Sequence, residues 1–413
     1  MTLLLFQRSR EEEEFYSWTK TEGYNSVEMK PFSLYIHIPY CISKCPYCDF
    51  NSHVVARIPE RDYTDALIRE LDHYASAPHW HGRKVQTIFF GGGTPSTFAP
   101  STIGVILERA FSSFPIDPNC EITLEANPGT VDHRFFSGYR DAGINRISLG
   151  IQSFQPRLLK FLGRVHTARE GHKALEVVVR AGFDNFSLDL IFASPGQTLK
   201  ELEDDLNAAL EYRSPHLSAY NLTFEEGTPF HHEYRCGRMN ALTEDEEIAM
   251  AELIEAKLGA AGLKRYEISN YALSNCYSRH NVNYWRLGDY LGLGAGAHSY
   301  LHMGMDPIPR ERWSNEKNPR RYMAGINQSG IAITERENID RDKAAGEFLF
   351  LGLRMTSGVS LEAFRSAFGR SPVEFYPKIK TWREAGLITE KSGNLRLTAH
   401  GLLLANSMFV EFV

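Results

Sequence analysis

Three cysteines lie within Cys41-Ile42-Ser43-Lys44-Cys45-Pro46-Tyr47-Cys48, separated by three residues and then by two. Thiolate is the preferred ligand of iron–sulfur clusters, and spacing bears on cluster type. Three thiolates can each hold one iron of a [4Fe–4S] cube. The fourth iron then stays open to a substrate or cofactor. A zinc site is the rival reading, with His37 or His53 as a fourth ligand. Zinc sites, however, usually take two separated pairs of ligands with short gaps.

A second segment, Gly91-Gly92-Gly93-Thr94-Pro95, directly follows an apolar run at 85–90. Glycines let a backbone approach a ligand closely, and free amides in such a loop can cradle an anion or carboxylate. Alone, a glycine run is a common turn. One unit after a three-cysteine loop, it reads as the second half of a cofactor site.

Something must carry these loops. Strand-like apolar runs fall at 34–38, 85–90, 122–126, 146–150, 186–191 and 217–222. Amphipathic stretches of helical length lie between them, at 63–75, 103–111, 133–142, 168–181 and 199–211. Alternating strands and helices predict βαβ crossovers and a parallel sheet. Six units are too few for a closed eight-unit barrel, so the expected fold is α/β with an open, partial (β/α)₆ barrel. In parallel barrels the chemistry sits at the carboxyl ends of the strands. The cysteine loop follows the first strand and the glycine loop the second.

Residues 240–263 read as a further helix, with Glu244, Glu246 and Glu247 near its start, where a helix favours negative charge. The chain from 266 to 300 is rich in Tyr, Asn, Gly and His. Helical patterns at 361–368 and 373–386, a small hairpin over 387–397 and a final helix at 402–412 suggest a winged-helix-like module. Its lysines and arginines are dispersed rather than striped, so packing or partner docking suits it better than DNA binding. The expected domains are a disordered extension at 1–28, the partial barrel at 29–239, a connecting region at 240–335 and the C-terminal module at 336–413.

The bulk numbers suit an enzyme-sized chain. Its 413 residues exceed what one core usually serves. A net charge of −6 disfavours non-specific nucleic-acid binding, so no nucleic-acid partner is expected. Six cysteines, three of them scattered at 120, 236 and 276, are no disulfide framework and suit a reducing, cytoplasmic setting. No apolar run approaches the roughly 20 residues of a membrane span. At the N-terminus, Met1 to Phe6 is apolar and the run Glu11-Glu12-Glu13-Glu14 follows. That order is wrong for a signal peptide. Residues 1–28 are expected to be dispensable, or Met29 to be the natural start.

Further segments join the two loops. These are Tyr35-Ile36-His37-Ile38-Pro39, Glu125-Ala126-Asn127-Pro128, and Asn145-Arg146-Ile147-Ser148-Leu149-Gly150-Ile151-Gln152-Ser153-Phe154. Leu162-Gly163-Arg164, Leu188-Asp189-Leu190-Ile191 and His280-Asn281-Val282-Asn283-Tyr284-Trp285 complete the set. Together, over roughly residues 30–413, they resemble the radical S-adenosylmethionine superfamily. Within it the chain is similar to the branch of oxygen-independent coproporphyrinogen III dehydrogenase and the HemW haem chaperones.

The resemblance implies a [4Fe–4S] cluster on Cys41, Cys45 and Cys48. The open iron would chelate S-adenosylmethionine, whose reductive cleavage gives a 5′-deoxyadenosyl radical. Gly93 and Thr94, with Pro95, would hold the methionine end, and Tyr47 would lie near the adenine. Tyr35 and Glu125 match S-adenosylmethionine contacts. Gln152, Arg164 and Asp189 match residues around a second such molecule in the dehydrogenase. His298 aligns loosely with another contact. Each has a plainer reading. Glu125 could pair with a barrel cation, and Asp189 with Arg164. Tyr35, Tyr47 and His37 could simply pack.

One departure matters. The dehydrogenase carries a further cysteine two residues after the third, and here that position is Phe50. The continuation Asp49-Phe50-Asn51-Ser52-His53 and the segment from His280 to Trp285 look like the haem chaperones. An imidazole can ligate haem iron, and Tyr284 and Trp285 can stack on a macrocycle. The plainer reading of His280 is a hydrogen-bonded structural histidine. The resemblance thus favours a chaperone carrying haem to an acceptor protein, which a peripheral membrane partner could supply. Radical decarboxylation of coproporphyrinogen III is the alternative, and on the chaperone reading no residue is assigned as catalytic.

Overall fold

The computed structural model describes residues 30–130, 132–303 and 310–412. The extension read at 1–28 lies outside them. Strands β1 (Phe32–Ile38), β2 (Val85–Gly92), β3 (Ile116–Ala126), β4 (Arg146–Gln152), β5 (Phe186–Phe192) and β6 (His216–Asn221) pair in that order, all parallel. Their sequences are near-continuous apolar runs, as in Phe32-Ser33-Leu34-Tyr35-Ile36-His37-Ile38, because helices cover a parallel sheet and both its faces are buried.

Five helices make the crossovers: α1 (Glu60–Ala75), α2 (Pro100–Ser113), α3 (His133–Asp141), α4 (Ala168–Arg180) and α5 (Leu199–Leu210). Their starts are written in the chain. Asp132 caps α3, and the pairs Thr167 with Glu170 and Thr198 with Glu201 form capping boxes on α4 and α5. Thr243 with Glu246 does the same for α6 (Glu244–Ala260), where the sequence places acidic residues.

The connecting region does more than connect. It supplies β7 (Asn270–Ala272), helix α7 (Arg279–Trp285), and then β8 (Tyr290–Leu293), β9 (His298–His302), β10 (Arg310–Asn315) and β11 (Ile333–Ile339). Strand β8 lies parallel beside β1, and β9, β10 and β11 extend that edge antiparallel. At the far edge β7 pairs antiparallel with β6. The order is β11-β10-β9-β8-β1-β2-β3-β4-β5-β6-β7, with the two-residue strand Lys264–Arg265 outermost, so the sheet is open. Short, polar strands of this kind carry too weak a period to be read from sequence.

Helix α8 (Pro319–Ser329) sends Tyr322 and Ile326 into the barrel-side core, and the C-terminal region begins with α9 (Arg341–Gly352), followed by α10 (Leu361–Phe368). The helix read at 373–386 is broken at Tyr376-Pro377 into Pro372–Phe375 and α11 (Lys378–Glu384). The expected hairpin is present as β12 (Ile388–Lys391) and β13 (Asn394–Leu397), with Val359–Ser360 as a third strand. Leu349, Phe364, Phe368, Ile379, Leu395 and Phe409 form its core, which continues into Tyr300 of β9.

Candidate functional site

The carboxyl ends of β1 to β5 meet at one edge of the sheet, and each delivers a loop or side chain to it. After β1, the chain forms a two-residue parallel ladder, Tyr40–Cys41 with His53–Val54, and the cysteine loop hangs from it. The Cys48 amide donates to the Cys45 carbonyl at 3.1 Å, and the Phe230 amide donates to the Pro46 carbonyl at 3.0 Å. Gly163 packs so closely on this loop that a Cβ there would sit 2.6 Å from Pro46 Cδ. All three cysteines are free and half-buried.

The glycine loop departs from the sequence expectation in one respect. Its amides are not a free cradle, because Gly93 N–H donates to the Ile38 carbonyl and Thr94 N–H to the Tyr40 carbonyl, both at 2.8 Å. The glycines are required for close approach instead. A Cβ on Gly93 would lie 2.6 Å from the Tyr40 carbonyl oxygen. One on Gly92, at φ +110°, would lie 2.4 Å from the His37 ring. Thr94 offers its hydroxyl to Cys41 Sγ at 3.4 Å.

Two half-buried carboxylates end this wall. Asp189 accepts hydrogen bonds from Ser218 at 2.7 Å, Ser148 at 2.9 Å and Ser187 at 3.2 Å. Arg164 does not pair with it; that guanidinium donates to the Gly150 carbonyl at 2.9 Å and to Cys45 Sγ at 3.5 Å. Burial, and then the charge of Asp189, push Glu125 up to about 8. Burial likewise raises Asp189, with the serine hydroxyls opposing it. Such a pair invites a cation.

Gln152 sits on a bulge at the end of β4, with φ +67°, where the pairing with β5 skips a residue. A non-glycine residue in that region is strained, and strain of this kind gathers at functional sites. Its Oε1 is buried without a partner, as is Nε of Arg164. Unsatisfied buried polar atoms beside free thiols are what a site shaped for a polar cofactor leaves when protein alone is present.

These groups line a cavity of about 500 Å³. Cys41, Cys45, Cys48, Tyr47, Gly93, Thr94, Pro95, Glu125, Gln152, Arg164 and Asp189 all face it. A second cavity, of about 910 Å³, adjoins it through Lys44, Asp49, Phe50, Ser52, Gly92 and Glu125, which line both. Tyr35 and Tyr284 face this larger one. His280 faces neither.

The histidines sort by their hydrogen bonds. His37 Nε2 donates to the Asn51 carbonyl at 2.9 Å, so its Nδ1 accepts from the Tyr35 hydroxyl at 2.9 Å. With both nitrogens engaged, His37 is no zinc ligand. His53 turns Nε2 to Asn51 Oδ1 and the Lys317 carbonyl. Among the described residues no group of His, Cys, Asp or Glu is placed to hold a single metal ion. His280 is 1% exposed, and its Nδ1 lies 2.8 Å from Thr87 Oγ1. The Thr87 hydroxyl hydrogen goes to Ser33, so Nδ1 donates and Nε2 accepts from the Tyr284 hydroxyl at 2.8 Å. Burial holds its pKa down to about 3. Both ring nitrogens of His280 are thus hydrogen-bonded, with the Nε2 lone pair held by Tyr284.

Sequence reasoning missed the serines that hold Asp189, and it missed Asn51, whose amide ties the cysteine loop to the Ala295 carbonyl at 2.9 Å and the Lys317 carbonyl at 3.0 Å. The signal for that contact was the run Gly294-Ala295-Gly296-Ala297-His298. A Cβ on Gly296 would meet Asn51 Nδ2 at 2.4 Å.

Comparison with known proteins agrees with this layout. The Radical SAM superfamily model matches residues 35–209, and the HemN C-terminal domain model matches 339–404. A protein of Haemophilus influenzae described as heme chaperone HemW is 38% identical over 94% of this chain and 99% of its own length. The chain belongs to the HemW family. The Escherichia coli member is 37% identical over 94% of this chain and 99% of its own. Among solved structures, the radical SAM enzyme coproporphyrinogen III oxidase (HemN) of Escherichia coli superposes with a TM-score of 0.78 at 21% identity. It covers 93% of this chain and 90% of that one, and it shows the shared fold.

Proposed function

We propose that the chain is a haem chaperone: it holds one [4Fe–4S] cluster and S-adenosylmethionine in the smaller cavity and haem in the larger, and passes haem to an acceptor protein. The observation that carries this is the larger cavity itself. At about 910 Å³ it is of cofactor size, walled by Tyr284, Trp285, Tyr290 and Tyr300, and it shares Phe50 and Glu125 with the cysteine cavity. Aromatic faces suit a flat macrocycle.

Cys41, Cys45 and Cys48 would hold the cluster. Its three free thiols, the orphaned Gln152 and Arg164 atoms and the half-buried carboxylates fit a cluster with a cationic cofactor. When bound, the cluster supplies a low-potential electron to the sulfonium. The protein's own residues position and exclude water: Gly93 and Thr94 bring the backbone close, Tyr47 walls the site, and Glu125 and Asp189 place negative charge beside it. Six free cysteines suit a reducing compartment, so we place this work in the cytoplasm. No described helix is long and apolar enough to cross a membrane. An acceptor in a membrane would be met peripherally.

The test uses the anaerobically reconstituted chain. Haem titration should give a saturable Soret change, and mixing with an apo-haem protein should move that absorbance to the acceptor. Incubation with coproporphyrinogen III, S-adenosylmethionine and a strong reductant should yield no decarboxylated product while S-adenosylmethionine is still consumed. Stoichiometric product, or no haem binding, would overturn the proposal.

A further inference from the structure

We propose that His298 presents the imidazole that meets haem iron in the larger cavity and that Lys317 meets a propionate there, while His280 serves as the prop behind Tyr284. This rests on the haem-carrying reading above.

Three histidines line that cavity: His37, His53 and His298. The first has both ring nitrogens engaged; the second donates its Nε2–H to Asn51 Oδ1 and the Lys317 carbonyl, which ties the ring to the base of the cysteine loop and leaves only Nδ1 without a partner. His298 is exposed, and no described residue shares a hydrogen bond with its ring. Burial of part of the ring, then the charges of Arg312 and Lys317, lower its pKa, which leaves a neutral imidazole with a free lone pair at neutral pH.

Its placement is set by the fold. His298 opens β9 opposite Ser314 of β10, and residues two apart on a strand share a face. Tyr300 therefore accompanies it, and both line the cavity. Tyr290 stacks on Tyr300 with ring centroids 6.1 Å apart and planes 13° from parallel, and Tyr284 meets Tyr290 edge-on at 4.6 Å. A flat ligand against that wall lies beside the free imidazole. His280, one helical turn before Tyr284 on α7, keeps the wall in place through the hydroxyl contact already described.

The cations around the cavity sort as the histidines do. Arg312 is paired with Glu337 and Glu347, and Lys343 with Glu337. Lys44 donates to the Phe50 carbonyl. Lys317 lines the cavity with no carboxylate partner among the described residues, so its ammonium is available to a ligand carboxylate.

The experiment is anaerobic haem titration of the full, cluster-loaded chain, followed by electronic absorption and electron paramagnetic resonance of the ferric form. In H298A the histidine-ligated spectrum should be lost and haem affinity should fall by about tenfold or more, at least what loss of a ligand's outer-shell partner costs. Imidazole added to H298A should restore the parental spectrum, which a purely structural role would not allow. H280A should keep the histidine-type spectrum, even with weaker loading, and an unchanged urea-unfolding midpoint of H298A reports an intact fold. If H298A shows the parental spectrum and affinity, or if the signature disappears in H280A and persists in H298A, the assignment is overturned while haem carrying stands. A parent chain that binds no haem overturns the haem-carrying reading, and this assignment with it.

Discussion

Replacing Glu125 by glutamine should stabilise the ligand-free protein at neutral pH and weaken its grip on a cation. The side chain is enclosed with Asp189 close by, and its pKa is raised from 4.5 to about 8. In the unfolded chain the carboxyl ionises near its ordinary value; in the folded chain it keeps its proton until about pH 8. A raised acid therefore imposes no penalty below about pH 4.5. The penalty grows as pH rises through that window and is complete above about pH 8. At pH 7 the gap is about 2.5 pH units, which converts to about 3 kcal/mol at 1.36 kcal/mol per unit. Glutamine has the same shape and no proton to lose, so it removes that penalty. Urea unfolding of the cluster-free protein, wild type against E125Q, should give equal stabilities near pH 4 and a gap that opens to about 3 kcal/mol by pH 7. Calorimetry with S-adenosylmethionine at pH 7 should show proton release on binding to the parent and none to E125Q. Parallel stability profiles across that range would refute the reasoning, because they would mean that Glu125 is already ionised in the empty site.

Two further substitutions test the frame around the site. Gly92→Ala puts a Cβ 2.4 Å from the His37 ring at φ +110°, so strain and overpacking together should cost about 3–5 kcal/mol and displace the Tyr35–His37 pair; denaturant unfolding and S-adenosylmethionine affinity report it. Asp289 is buried against Arg83 at 2.6 Å and also holds His302, just before β8. Asp289→Asn leaves the Arg83 charge without that carboxylate and should cost about 3–5 kcal/mol in unfolding experiments, whereas an unchanged midpoint would mean that the pair adds nothing to this edge of the sheet.

The sequence by itself carried the barrel and the cluster loop. Each barrel strand is a run buried on both faces, and helices such as α4 and α5 announce their first turns with Thr and Glu three apart, so period and capping are local signals. The cysteine spacing is equally local. What the sequence left open was which polar groups are already spent. His280 in His280-Asn281-Val282-Asn283-Tyr284-Trp285 and His298 in Gly294-Ala295-Gly296-Ala297-His298 look alike as candidate ligands. Only the tertiary structure sets Thr87, on β2 and 193 residues from His280, against one imidazole and leaves the other open to a cavity. The same holds for Asp189, which meets three serines from three strands rather than Arg164. Hydrogen-bond saturation is decided by partners far apart in the chain, and no local period encodes it.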